Sequence, residues 1–476
     1  MLKKNIKKEF KIISSTLDDL VPKNHLLRKI NNKIDFSFIY DKVNNLYSPR
    51  GRPSIDPVVL VKIILLASLY NIDSERKLLN EIQVNLAYRW FLGIDLDEKV
   101  PDRTSLSKNR NGRFRNSNLF QEIFDEIVRL CIKENIVGGK LLLTDSTHIK
   151  ANASKERHET ILLYEGPNEY NRRLDLRAKA LAYKVKENNP NSKRNTFGGD
   201  AKSEDYLVKE KMQIKSITDS ETGYLGRPGK PKGFHYLNHQ SQDSKYGIIT
   251  DVYVTPGNVN DFIPYIDRLK VQQEKFGFKI EEVAADTGYD FPQVHWGLDQ
   301  LKIKGYISKK DTEEKDKGKV FPPSKFKYDE FNDIFICPNN KILRFTSVNT
   351  GKYKKRSYSA KHIDCQNCSS KDKCSPSKVA RRIDISFDRK SMNKNYKLID
   401  SFRYTEAMTL RRIYCEGNFG IMKENHNLRK TRKRGIKNVL EQCLFSALAL
   451  NIKKLIKYSK GECKAYIKAL TIQFIT

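Results

Sequence analysis

Apolar spacing changes character near residue 136, and that change limits the folds open to the chain. Before it the pattern is helical. Asp56-Pro57 reads as a cap followed by a first-turn proline, and Leu60, Ile63, Ile64 and Ala67 continue at helical spacing. Ser74 precedes a second helix carrying Leu78, Leu79, Ile82 and Leu86, next to the aromatic cluster Tyr88, Trp90 and Phe91. Asp102 or Thr104 opens a third, through Leu106 and Phe114. Phe120, Ile123, Phe124, Ile127 and Leu130 stripe a fourth over 119–132. Short helices with polar connections suit a helix-turn-helix-like DNA-binding unit.

Beyond the Gly138-Gly139 turn, short apolar runs take over. KLLLTDS is a strand ending in a carboxylate, and strand-like runs return at 212–218 and 246–255. Pro256-Gly257-Asn258 turns the chain into a helix near 261–270. EEVAAD is another strand ending in a carboxylate; a helix at 292–301 and the strand KGYIS follow. This alternation indicates an α/β core with a mixed sheet. Residues 151–210 read as a polar, partly helical excursion. A lysine-rich stretch at 309–400 interrupts the core, and helices resume over 402–457. The boundaries expected are therefore a helical N-terminal DNA-binding region at 1–135, a core at 136–308, an insertion at 309–400, and a second core segment at 401–476.

Composition narrows the function. The net charge is +32, from 89 Lys+Arg against 57 Asp+Glu. Such a balance points to a polyanion, nucleic acid before an anionic membrane. An AT-rich coding sequence is the plainer source of part of the lysine. Basic residues concentrate at Lys99, Arg103, Lys108, Arg110, Arg113 and Arg115, and again over 421–460, where eleven Lys or Arg face only Glu424 and Glu441. Arg429, Lys430, Arg432, Lys433 and Arg434 form a knot suited to gripping phosphates rather than reading bases. MLKKNIKKEF lacks the apolar run of a secretory signal, and the longest apolar stretch, 58–70, is too short to span a bilayer. A soluble cytoplasmic protein without a membrane partner is expected. No phosphate-cradling Gly-rich loop or dinucleotide fingerprint is present.

Three acids stand out by context. Asp145 and Asp286 end strands, where α/β sheets present ligands, and Glu416 lies in the helical stretch RRIYCEGNFGIMKENH. Metal-assisted phosphoryl transfer needs carboxylates converging on ions ~3.5–4 Å apart. Mg²⁺, or Mn²⁺, suits such an oxygen-ligand site. Plainer roles exist for each: capping for Asp145 and Asp286, and an i−4 pair with Arg412 for Glu416. Arg412, Glu416 and Lys423, spaced by 4 and 7, share one helical face and set phosphate-binding cations beside a metal ligand.

At these residues the sequence resembles the bacterial insertion-sequence DDE transposases. GRPSIDPVVLVKIILLASLY, NLAYRWFLGIDLDEKVPDRTSLSKNR, TDSTHIKANASK, ADTGYD and EGNFGIMKENHNLRKTRKRGI occur in the family's order. The resemblance implies a ribonuclease-H-like catalytic core behind a helical N-terminal region. It implies binding of terminal inverted repeats and target DNA, Mg²⁺-dependent cleavage and strand transfer, and a homodimer in the synaptic complex, in the bacterial cytoplasm at the nucleoid. By position, Asp145, Asp286 and Glu416 match the catalytic acids, and Arg412 and Lys423 match an Arg-x3-Glu-x6-Lys signature. Thr409 stands where a Tyr is common; Tyr404 and Tyr414 are nearby. Two rivals share the charge and helices: a DNA-binding protein derived from a transposase that cleaves nothing, and a related nuclease without strand transfer.

Cys337, Cys365, Cys368 and Cys374 fall in the insertion as C-x27-C-x2-C-x5-C, a candidate structural Zn²⁺ set with an irregular second half. His362 is an alternative ligand, and reduced thiols in a lysine-rich loop are the plainer reading. His148, His235, His239 and His426 are candidate polar neighbours of the acids. Trp296 is a candidate stacking platform, with core packing as the alternative.

Overall fold

The computed structural model describes residues 14–48, 50, 54–165, 169–188, 209–226, 232–310, 320–349, 355–375 and 379–459. Among the described residues eight α-helices come first: α1 (Leu17–Leu20), α2 (Leu26–Lys33), α3 (Phe38–Val43), α4 (Pro57–Leu69), α5 (Glu75–Val84), α6 (Leu86–Leu92), α7 (Arg103–Lys108) and α8 (Leu119–Lys133). Their starts follow from cap chemistry. Asp56 accepts the Val58 amide at 2.7 Å with Pro57 behind it, and Ser74, Asn85 and Asp102 cap α5, α6 and α7. The helix α4 is apolar on nearly every face and is buried on several sides, with Leu60, Val61, Ile63, Leu65 and Leu66 all inside.

The second part alternates as the sequence predicts, with three further strands, at 158–165, 223–225 and 233–243, unforeseen. The order is β1 (Leu141–Lys150), β2 (His158–Glu165), α9 (Glu169–Asn188), β3 (Lys209–Ser216), β4 (Gly223–Leu225), β5 (Gly233–Asp243), β6 (Ile249–Pro256), α10 (Tyr265–Phe276), β7 (Glu282–Ala285), α11 (Pro292–Gln300) and β8 (Lys304–Ile307). The main sheet runs β6-β5-β1-β7-β8, and β4 continues the outer edge of β5 beyond β6. Strand β5 is antiparallel to β1 and β6, while β1, β7 and β8 are parallel. The run expected at 212–218 belongs to β3, which pairs with β2 in a separate two-stranded sheet rather than in this one.

Residues 320–386 build a second, antiparallel sheet: β9 (Lys327–Asp329), β10 (Ile334–Ile336), β11 (Ile342–Asn349), β12 (Lys355–Ala360) and β13 (Arg382–Ser386), in the order β13-β12-β11-β10-β9. Two short helices, α12 (His362–Gln366) and α13 (Lys371–Cys374), join β12 to β13. Phe326, Phe335, Leu343, Tyr358, Ile383 and Ile385 give this sheet its own core. Helices α14 (Arg389–Tyr396), α15 (Phe402–Arg411), α16 (Gly417–Asn425) and α17 (Ile436–Tyr458) lead back to the main sheet. The long α17 packs on β6, α8 and α4, so the N-terminal helices and the sheet share one apolar core. Among the described residues, no helix is long and apolar enough to cross a membrane.

Candidate active site

Alternation along β1 decides which side chains meet. Leu141 and Leu143 pack with Ala284, Tyr306 and Ala407 on the face covered by α15; Leu142 and Val283 join the larger core on the other face. Asp145 shares the parity of Leu141 and Leu143, and Asp286 that of Ala284, so both carboxylates face α15. Leu143 pairs with Ala284 in the parallel β1–β7 ladder. Two further residues along that register bring Asp145 beside Asp286, just past the end of β7. Asp145 does not end its strand as the sequence suggested. It lies mid-β1, because β5 continues to pair with β1 as far as Lys150 after β7 has stopped.

Asp286 caps the turn Thr287–Tyr289, its Oδ1 accepting the Gly288 amide at 2.8 Å. Glycine suits position 288 for a spatial reason: a Cβ there would stand 2.8 Å from Asp286 Oδ1 and 3.1 Å from Asp261 Oδ2. Asp261 is an acid that the sequence reading missed. Its Oδ1 accepts the Ser146 hydroxyl at 2.6 Å, which ties the loop after β6 to the residue following Asp145. The signal available was the polar PGNVND turn at the end of a strand.

Glu416 arrives through a helix irregularity. Helix α15 is capped by Ser401 and runs regularly to Arg411; residues Arg412–Glu416 then form a π-helical turn before α16. A turn closed by i→i+5 hydrogen bonds rotates less per residue than an α-turn. Regular spacing would put Arg412 on the face of Glu416. The wider turn brings Arg411 there instead and leaves Arg412 exposed.

Arg411 thereby touches all three acids. Its Nη2 lies 3.0 Å from Asp145 Oδ2 and 3.6 Å from Asp286 Oδ2, and its Nη1 lies 3.6 Å from Glu416 Oε1. Its Nε donates to the Thr144 carbonyl at 3.2 Å. The Arg411 side chain is 8% exposed and Asp145 15%, against 43% for Asp286 and 59% for Glu416, so the cluster has a buried floor and an open mouth. Burial pushes the Asp145 carboxyl up to about 6; Arg411 opposes this, while Asp286 and Asp261 add to it. Among the described residues, no group of three or more His, Cys, Asp or Glu is gathered tightly enough to enclose an ion. At the acids, a guanidinium stands between the carboxylates. Their oxygen donors are of the type a hard divalent ion takes, and the place between them is held by the guanidinium.

Other expected site residues divide by burial. Arg103, Lys108, Arg412, Arg429, Lys430 and Arg434 are exposed. Arg429 pairs with Glu424, and Arg434 donates to the Asn152 carbonyl at 3.1 Å. Thr431 docks this tract on the end of β1, its amide donating to the Lys150 carbonyl at 2.9 Å. Lys150 is five residues from Asp145, which places the tract about 16 Å along the strand from the acids. Lys423 is half-buried on α16. Arg110 is spent internally, between Glu75 at 2.6 Å and Glu441. Arg432 donates to the Ile72 carbonyl at 3.0 Å and to Asn427, and burial pushes its guanidinium down to about 10. Arg113 lies over the Tyr47 ring and bonds to Ser54 and Asn109. Lys433 is half-buried beside Asn111, with its pKa lowered by burial.

The histidines serve the fold. His239 bonds to Thr255 and His426 to the Ser68 carbonyl, and burial pushes them down to about 3 and about 4. His148 contacts the Gly257 carbonyl and His235 that of Gly233. The Trp296 ring is covered by the Arg173 guanidinium, 3.0 Å from its centroid. Thr409 bonds back to the Thr405 carbonyl, Tyr404 contacts Ser308, and Tyr414 reaches the Lys245 carbonyl.

The four cysteines of the second sheet are reduced. Cys337 follows β10 in a turn whose Lys341 amide donates to its sulfur at 3.3 Å, and Asn339 donates to Cys368 at 3.0 Å. Cys365 lies in α12 and Cys374 ends α13. Burial raises the Cys374 thiol, and the other three sulfurs are near enough to act on it.

Comparison with known families gives the class. Residues 15–112 match a family described as transposase domain (DUF772), and residues 336–456 match a transposase DDE domain. The second match takes in Arg411 and Glu416. The chain is thus similar to two transposase domains, one over part of its N-terminal region and one over its C-terminal part. No curated protein matches the sequence. Among solved structures, a piggyBac transposase synaptic complex with hairpin DNA aligns over 93% of this chain and 83% of that chain, at 10% identity and a TM-score of 0.26. That likeness is too low to carry an argument.

Proposed function

We propose that this chain is a DNA transposase that binds the terminal inverted repeats of its element, cleaves there, and joins the ends to target DNA. One observation carries the reading: Asp145, Asp286 and Glu416, far apart in sequence, converge on a single cation in a chain of transposase families. The main sheet supports a ribonuclease-H-like core, with an antiparallel second strand and parallel first, fourth and fifth strands. On this reading the second sheet is an insertion between β8 and the Glu416 helix, and the N-terminal helices contribute DNA binding.

Asp145, Asp286 and Glu416 are the residues that would hold Mg²⁺ or Mn²⁺. The ion would supply Lewis-acid stabilisation of the scissile phosphate and a more acidic oxygen nucleophile, water first and a 3′-hydroxyl second. The chain's own residues do the positioning. The buried floor around Asp145 fixes one carboxylate and excludes water beneath it. Glu416, at the open mouth, stands where a phosphodiester would approach. Arg429, Lys430 and Arg434 are exposed on the tract about 16 Å away, roughly five base steps along a duplex at 3.4 Å each. They and Arg412, Lys423, Arg103 and Lys108 would hold the backbone without reading sequence. No covalent protein intermediate is needed. Two ends must be brought together, which a homodimer would do. Cys337, Cys365, Cys368 and Cys374 are the residues that would hold a structural Zn²⁺.

The test uses DNA carrying the ends that flank the gene. Mg²⁺-dependent cleavage at those ends, and joining of a pre-cut 3′-hydroxyl end to target DNA, are expected. Cleavage without joining would make the protein a nuclease; specific binding without cleavage would make it a DNA-binding derivative.

A further inference from the structure

The guanidinium at the centre of the acid cluster is unusual in its sharing. Only the Asp145 contact, at 3.0 Å, has hydrogen-bond length; the contacts to Asp286 and Glu416 are both 3.6 Å. A bidentate lock on one carboxylate would bring two short bonds to that acid. Here the two terminal nitrogens are spread over three acids, and the charge sits centrally among them. The Nε–Thr144 bond anchors the stem to the backbone of β1, one residue before Asp145. The side chain is 8% exposed, so this position is built into the floor rather than sampled from solvent. It also depends on the π-turn, since regular helix would send Arg411 away from Glu416.

We propose that Arg411 is the internal counter-cation of the acid cluster. It holds the three carboxylates together before a divalent ion binds, and its terminal nitrogens give up that place when the ion enters. The proposal rests on the metal-binding part of the function proposed above. Three carboxylates so close repel one another, and one positive charge among them offsets part of that repulsion. A divalent ion seeks the same oxygens, so the guanidinium and the ion compete. Arg411 is in this sense a positioning residue that exchanges metal affinity for order in the metal-free state.

The experiment measures Mn²⁺ binding to the full-length chain by the spectroscopic signal of free Mn²⁺, together with the thermal midpoint with and without the ion. Arg411→Gln is expected to bind Mn²⁺ about tenfold tighter or more, since removing a unit charge a few ångströms from the ion removes a repulsion of that order. Its metal-free midpoint should fall, and its rise on adding Mn²⁺ should exceed that of the wild type. Unchanged or weaker binding by a variant with wild-type circular dichroism would overturn the proposal. If Arg411→Gln does not fold, Arg411→Met decides. It keeps an apolar stem of similar length without the charge, so tighter binding than wild type supports competition and equal or weaker binding overturns it. Asp145→Asn separates the two claims. Wild-type binding that this variant abolishes keeps the metal reading and leaves Arg411 alone under test; a wild type that binds no Mn²⁺ sinks both.

Discussion

Arg110 is the residue for which sequence and structure predict opposite outcomes. In sequence it is one more cation on a basic helix, suited to a DNA phosphate. In the fold its guanidinium is 15% exposed and lies between Glu75 and Glu441, tying α5 to α17. Glu441 is 6% exposed, so removing Arg110 leaves a buried carboxylate unpaired, at a cost of about 3–5 kcal/mol. Glu75, at 29% exposure, adds little because water screens it. Arg110→Met should therefore shift the urea unfolding midpoint strongly downward. Replacing Glu441 with Met in the same chain should restore most of the loss, since a pair of apolar side chains leaves no orphan charge. The salt dependence of binding to end DNA should keep its slope. A phosphate contact would instead cost about 0.9 in that slope when removed. Wild-type unfolding by Arg110→Met with a slope shallower by about that amount would refute the structural reading.

Further outcomes follow from the same geometry. His426 is held neutral in the core, with its pKa lowered from the ordinary 6.5 to about 4. The unfolded chain takes up a proton there below 6.5 and the folded chain does not until about 4. Stability should therefore fall across that window by about 3 kcal/mol from this residue, and His426→Asn should flatten the urea-midpoint profile between pH 6.5 and 4; an unchanged profile would contradict it. Gly288→Ala puts a methyl against the carboxylates of Asp286 and Asp261; end cleavage should drop at least about tenfold while the thermal midpoint moves within the small range of a surface change. Metal analysis of purified protein should find zinc near one equivalent, lost when Cys365 and Cys368 are both changed to Ser; below about half an equivalent with the second sheet folded, the zinc reading fails.

How much of this was legible beforehand depended on which forces left a trace in the sequence. Caps and apolar periodicity are local, and Asp56-Pro57, Ser74 and the stripe through Ile123 and Ile127 mark their helices correctly. Strand β5 left no such trace. Its segment GFHYLNHQSQD is polar, yet Asn238, Gln240 and Gln242 are buried; Gln242 Oε1 accepts from Asn418 at 2.6 Å, while the Asn238 amide has no partner among the described residues. Such pairing depends on residues 176 positions away and has no local signature. The antiparallel second sheet was likewise hidden in a lysine-rich stretch, since its core is carried by single residues such as Phe335 and Tyr358. At the acid cluster, Asp286 does follow the end of its strand, whereas Asp145 lies within β1 and the expected strand end there was wrong. Helical spacing then pointed to Arg412, because a π-turn cannot be read from a 3.6-residue period; Arg411 is the residue that reaches the acids.

The central claim is that Asp145, Asp286 and Glu416 form one centre for cutting DNA. Its most direct test is the single-turnover rate of Mg²⁺-dependent cleavage at the element's ends by Asp145→Asn, Asp286→Asn and Glu416→Gln, each at DNA concentrations that saturate binding. Each variant should still bind the ends and lose cleavage by three or more orders of magnitude, about 4 kcal/mol or more of barrier. Wild-type rates from all three variants would contradict it.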